Sequence, residues 1–275
     1  MTRLLAVVAL TAIIHLVNTL IYSVRVAGVN TGRLATAYSL FNVVFLVAST
    51  ANMIQGPLLA TIVEGVINRG GDGGELELSQ LTLDMRYVIG SATLGTLLGA
   101  LLIPSFVNIF TRLILVFERV GSVPGMLLLL LLSPGRLKRL LGDIKLPPRG
   151  MLKRAREPVS GLPTNFLLLN VAVTGIFTTG VLSALYAGAL YPEYRTSATL
   201  LSSIVNGMAQ VLFATVVDPT AARITDQALR GERSQADVKR MSFYLAATRL
   251  AGTLLAQLIF LPAAYFIRYI AVLIT

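Results

Sequence analysis

The sequence predicts an all-α polytopic membrane protein: six transmembrane helices, arranged as two inverted three-helix repeats and joined by a basic cytoplasmic linker. Three observations predict it. The 275 residues are 55% hydrophobic and only 13% charged, with a mean hydropathy of +0.76; a soluble domain cannot hide that much apolar surface. The apolar runs are about 20 residues or longer, as a spanning helix requires, unlike the roughly 10-residue alternating segments of a barrel. Residues 33–69 are also echoed by residues 195–231 without a gap. Arg33 falls opposite Arg195, Pro57 opposite Pro219 and Glu64 opposite Asp226, all at an offset of 162.

The first span covers residues 4–24. It is too long and too polar in its second half for a signal-peptide core. His15, Asn18, Tyr22 and Arg25 lie along one side of the helix. The second span covers about 34–63, with Tyr38, Asn42, Ser49 and Asn52 again on one side. Pro57 removes a backbone hydrogen bond and should kink or break this helix near Ile54. Residues 64–86 read as a polar, Gly-rich loop. The third span starts near Tyr87 and carries Gly95 and Gly99, a pair that lets another helix approach closely. Beyond Pro104 its apolar pattern continues to Phe117 as a kinked extension.

Residues 112–163 form the longest connection, with ten Lys/Arg against Glu118, Asp143 and Glu157. The apolar run from Met126 to Leu132 is too short to cross a ~30 Å hydrocarbon core and reads as an interfacial or re-entrant piece. Pro147, Pro148, Pro158 and Pro163 make the rest a poor helix. The fourth span is about 165–190, with Asn170, Thr174 and Thr178 on one side. The fifth is about 197–217, carrying Ser203, Asn206, Gln210 and Phe213. Residues 218–239 read as a charged loop, and the sixth span, about 241–267, contains Arg249 and Gln257.

The repeat reaches beyond the second span. Gly95-Thr-Leu-Leu-Gly99 reappears as Gly252-Thr-Leu-Leu-Ala256, and Pro104 and Pro262 follow at similar distances. Ser23 and Ala27-Gly28 are echoed by Ser183 and Ala187-Gly188. The expected division is residues 1–118 as the first repeat, 119–163 as the linker and 164–275 as the second repeat. Lys and Arg sit mostly in the connections after spans one, three and five, seventeen against five at the opposite ends. The basic side is expected to be cytoplasmic, which places both termini outside. Three spans per repeat and a non-crossing linker invert the second half, the design of alternating-access transporters.

Composition and motifs exclude several chemistries. There is no Cys, so disulfides, zinc thiolates and cysteine catalysis are out. A single His excludes a multi-histidine metal site. The net charge of +10 sits in membrane-flanking connections, where topology and anionic lipid account for it and nucleic acid is not expected. No nucleophile–base–acid set, dinucleotide fingerprint or phosphate loop is present, so no catalytic residue, metal or cofactor is expected.

Intramembrane polar residues carry the functional signal, because a charge inside the bilayer costs at least a few kcal/mol unless it meets a partner or water. Arg249 lies about two turns inside the sixth span, roughly 12 Å from its start. Two readings stand: an ion pair with Asp218, or an anion-binding cavity in which Arg249, Arg25 and Arg33 attract a phosphate. His15 is either an interhelical hydrogen-bonder or a ligand or proton site. Asn18, Asn42, Asn52, Gln55, Asn206 and Gln210 each suit interhelical hydrogen bonding. Together they form stripes that fit a hydrated, substrate-binding cavity better. Glu64 and Asp218 are candidates for ion coupling.

The run Ser39-Leu-Phe-Asn42, the run Thr50-Ala-Asn-Met-Ile-Gln-Gly-Pro57, the pair His15 and Asn18-Thr19, and Ser23-Val-Arg25-Val-Ala27-Gly28-Val29 resemble the Amj family of alternate lipid II flippases. The resemblance covers the whole length and is most specific in spans one and two. It implies a bacterial plasma-membrane protein that moves an undecaprenyl-pyrophosphate-linked peptidoglycan precursor from the cytoplasmic to the outer leaflet. The implied partners are that lipid-linked pyrophosphate and the membrane lipid itself, with a homo-oligomer among the allowed assemblies. The alternative is an ion-coupled secondary transporter of a small anionic solute; a non-transporting scaffold is the third class.

Overall fold

The computed structural model describes residues 1–69, 74–145, 157 and 161–274. Among the described residues every regular element is helical. Helix α1 is Thr2–Thr31, α2 Leu34–Arg69 and α3 Gly74–Val120. Two short helices follow, α4 at Val123–Leu131 and α5 at Pro134–Gly142. Then come α6 at Thr164–Leu190, α7 at Arg195–Leu212, α8 at Asp218–Leu229 and α9 at Gln235–Leu273. Six helical units are long and apolar enough to span a bilayer: α1, α2, α3, α6, the α7–α8 unit and α9. This is a multi-pass membrane protein.

Two stretches read as loops from their charge are helix instead. Helix α2 continues past Glu64 to Arg69 and α3 already begins at Gly74. Residues 218–229 form α8, and α9 starts at Gln235 behind a Ser234 cap whose hydroxyl accepts the Asp237 N–H at 3.2 Å. Polar helical turns that overhang a span carry the composition of a loop and the backbone of a helix. Helix α2 also runs unbroken through Pro57. The second copy differs: a π-helical turn at Phe213–Val217 separates α7 from α8, with Pro219 in the first turn of α8. The run from Met126 to Leu132 falls on α4, nine residues and about 13 Å long, well short of a span. Pro163 caps α6; Pro147, Pro148 and Pro158 lie outside the described residues.

Within each half the first helix is central. Helix α1 packs against α2 and α3, and α6 packs against α7 and α9. The matched glycines make the matched contacts. A Cβ at Gly95 would sit 2.2 Å from the Ala12 carbonyl oxygen, joining α3 to α1. One at Gly252 would sit 2.6 Å from the Val171 carbonyl oxygen, joining α9 to α6. A Cβ at Gly28 would sit 2.9 Å from the Leu34 Cα and one at Gly188 3.2 Å from the Arg195 Cα, at the entries of α2 and α7. The α1–α2 turn is tight because Gly32 adopts φ 68 and the Arg33 N–H bonds to the Gly28 carbonyl at 2.9 Å.

The buried clusters fix the running directions. One end of the bundle gathers Val7, Val63, Leu81, Leu185 and Phe260. The other gathers Val26, Phe166, Ile224 and Met241, with Ala27, Phe41 and Ile114 beside them. Helices α1 and α3 therefore run one way and α2, α6 and α9 the other. The α7–α8 unit runs with α1, since its start packs on the ends of α6 and α9 through Ala198, Ala187 and Ala271.

Candidate functional site

The expected polar residues separate into three groups. The first lies at the end of the bundle that holds Val26 and Ile224. Arg25, on α1, is 4% exposed. Its guanidinium forms an ion pair with Asp218, the first residue of α8, and lies over the Tyr38 ring, 5.6 Å from the centroid. Burying a guanidinium is unfavourable without such partners. Arg33, on the exposed α1–α2 turn, pairs instead with Glu118 of α3 at 2.6 Å.

The second group lies along the inner helices. His15 faces α3, its Nδ1 3.4 Å from the Thr96 hydroxyl. Arg249 lies on α9, which packs against both α1 and α3. Asp218 pairs with Arg25, and no ion pair between Arg249 and Asp218 is found among the described residues, which goes against the first of the two readings of Arg249. The Arg249 Nε is buried with no hydrogen-bond partner. An orphaned buried donor of this kind costs about 1–3 kcal/mol. Asn206 of α7 packs flat on α6, where a Cβ at Gly180 would lie 2.1 Å from its Oδ1, and that oxygen is also buried and unpartnered. Asn18 is half-buried on α1. Gln55 is interhelical glue: its Nε2 donates to the Thr11 hydroxyl, tying α2 to α1. Asn170 does the same in the second half, donating to the Leu245 carbonyl at 3.1 Å and the Thr248 hydroxyl at 2.8 Å.

The third group faces outward. Asn42 and Asn52 on α2 and Gln210 on α7 are exposed among apolar neighbours such as Phe45, Met53, Met208 and Val211. Glu64 lies at the far end of α2 and lines a cavity of about 240 Å³ with Arg195 and Thr199 of α7. Among the described residues, no three His, Asp or Glu side chains come together as a metal site.

Two contacts have no signature in the sequence. Arg86 Nη1 donates to the Gln257 carbonyl at 3.1 Å, while Gln257 Nε2 donates to the Arg86 carbonyl at 3.0 Å, clamping α3 to α9. The Tyr38 ring under Arg25 is the other: Tyr38 stands in the polar stripe of the second span, but nothing in that stripe names Arg25 as its partner.

A family profile described as "Amj: Alternate to MurJ" matches residues 10–271. The chain belongs to the Amj family. It is 35% identical over 269 residues to a Bacillus subtilis (strain 168) protein named "Lipid II flippase Amj", covering 98% of this chain and 97% of that relative. No solved structure matches the chain. The segments that carry the Amj resemblance all fall on α1 and α2. They include Arg25, His15, Asn18, Asn42, Asn52 and Gln55.

Proposed function

We propose that this protein moves lipid II, the undecaprenyl-pyrophosphate-linked peptidoglycan precursor, from the cytoplasmic to the outer leaflet by alternating access, as a transporter and not a catalyst. The halves are residues 1–118 and 164–275, inverted with respect to each other, and residues 119–163 are the basic cytoplasmic linker. The name of the Bacillus subtilis relative supports the substrate. The antiparallel running of α1 against α6, α2 against α7 and α3 against α9, with matched glycine contacts, supports the inversion. The charge asymmetry supports the orientation, with both termini outside.

One observation carries the mechanism: among the described residues the buried Nε of Arg249 has no hydrogen-bond partner, while Asp218, its candidate carboxylate, is paired with Arg25. A guanidinium without a protein partner inside a span is suited to a pyrophosphate oxygen. His15, Asn18 and the unpartnered Asn206 oxygen supply further polar contacts for the head group. Asn42, Asn52 and Gln210, on exposed faces, give that head group a polar route while the polyprenyl tail stays in lipid. Arg25 and Arg33, each already held in an ion pair, contribute to the positive potential at the cytoplasmic mouth that attracts the anion, and Glu64 and Asp218 are the coupling candidates.

The test is rescue of bacteria depleted of their other lipid II flippases. Wild-type protein is expected to restore growth and Arg249→Gln to lose rescue while reaching the membrane in normal amounts. Full rescue by Arg249→Gln contradicts the capture mechanism. No rescue by wild type, with uptake of a water-soluble anion into liposomes, replaces the substrate.

A further inference from the structure

We infer that the cleft between the end of α3 and the α4–α5 hairpin is a binding site for an anionic phospholipid. The cleft encloses about 650 Å³, walled by Leu113, Val116, Leu129 and Leu130, with Arg112 and Arg119 on its lining. That volume lies in the range of ligand-holding cavities.

The local structure is built and held. Ser122 caps α4, its hydroxyl accepting the Gly125 N–H at 3.2 Å. Met126 and Leu130 anchor α4 in the core beside Phe110 and Ile114. The chain after α5 is tied back to α3: the Ser105 hydroxyl donates to the Lys145 carbonyl at 2.8 Å and accepts the Lys145 N–H at 3.0 Å. Both ends of the hairpin are thus anchored against α3.

Charge selects the occupant. Arg112 is engaged by Asp143 at 2.8 Å. Arg119 is exposed and has no ion pair among the described residues. A free guanidinium at the rim of an apolar slot matches a lipid phosphate above an acyl chain. The surroundings fit a lipid rather than a protein. Leu127, Leu128 and Leu131 of α4, and Leu132 just after it, are exposed at a helix too short to span, so this hairpin lies in the membrane interface. Lys138 of α5 adds a further exposed cation on the hairpin, which draws anionic head groups toward it. The site does not involve Arg249 and stands independently of the transport reading.

The experiment is native mass spectrometry of the full chain released from nanodiscs of equal phosphatidylglycerol and phosphatidylethanolamine. Wild type is expected to retain phosphatidylglycerol in preference to phosphatidylethanolamine. Arg119→Gln is expected to lower that retention about tenfold. Leu129→Trp, which fills the slot without changing charge, should lower it as well, and Arg223→Gln, an exposed cation on α8, should leave it unchanged. Equal retention of the two lipids by wild type, or undiminished phosphatidylglycerol in Arg119→Gln, overturns the site.

Discussion

Arg25 and Asp218 stand 193 residues apart in the chain and form an ion pair that ties α1, in the first half, to the start of α8, in the second. The arginine side chain is 5% exposed and the aspartate side chain 49%. Removing one partner of a fully buried pair costs 3–5 kcal/mol; with one partner half in solvent, about 2 kcal/mol is expected. Arg25→Gln and Asp218→Asn should each destabilise by that amount in detergent unfolding. Their double mutant should be less destabilised than the sum, with a coupling of about 1 kcal/mol or more. Strict additivity would show that the pair contributes nothing.

Arg249 is predicted to matter for transport and little for folding. Its Nε has no protein partner to lose. Arg249→Gln should leave the unfolding midpoint at or above wild type, since it removes an unsatisfied buried donor, and lower transport about 10- to 100-fold, the range of one charge-assisted contact. Arg249→Lys keeps the charge but not the fork and should fall between the two.

Glycine contacts give a contrast within one chemistry. Gly95→Ala places a methyl 2.2 Å from the Ala12 backbone oxygen, and overpacking of this kind should cost about 3 kcal/mol. Gly207 sits in α7 with nothing within 4 Å of an added Cβ. Gly207→Ala should be neutral or gain about 0.5–1 kcal/mol from helix propensity. Unfolding of the two variants side by side checks the α1–α3 interface.

Topology can be read with single cysteines, since the chain has none. In intact cells an impermeant maleimide should label Leu76→Cys and Glu193→Cys, and should reach Asn30→Cys and Glu232→Cys only after permeabilisation. Labelling of Leu76→Cys and Glu193→Cys on opposite sides would contradict the inverted arrangement.

The fold was largely legible because span length and glycine spacing are local properties. Six apolar runs became six spanning units, and Gly95 and Gly99 became contacts on α1. What failed was the reading of charge as loop: residues 64–69 and 218–229 are helix because hydrogen bonding along the chain continues where the bilayer ends. The site was legible in kind but not in pairing. Asp218 had more than one arginine to choose from, and only three-dimensional packing decides for Arg25 over Arg249. Gln55 and Gln210 look alike in sequence. One is buried against Thr11 and the other is exposed, because burial depends on where the neighbouring helix lies.

The central claim is tested most directly by measuring which leaflet holds lipid II in cells whose only flippase is this protein. An externally added enzyme that cleaves lipid II should release head group when wild-type protein is present, and none above background with Arg249→Gln, while total lipid II accumulates. Absence of cleavable lipid II outside with wild-type protein, or equal cleavage with Arg249→Gln, would contradict the account.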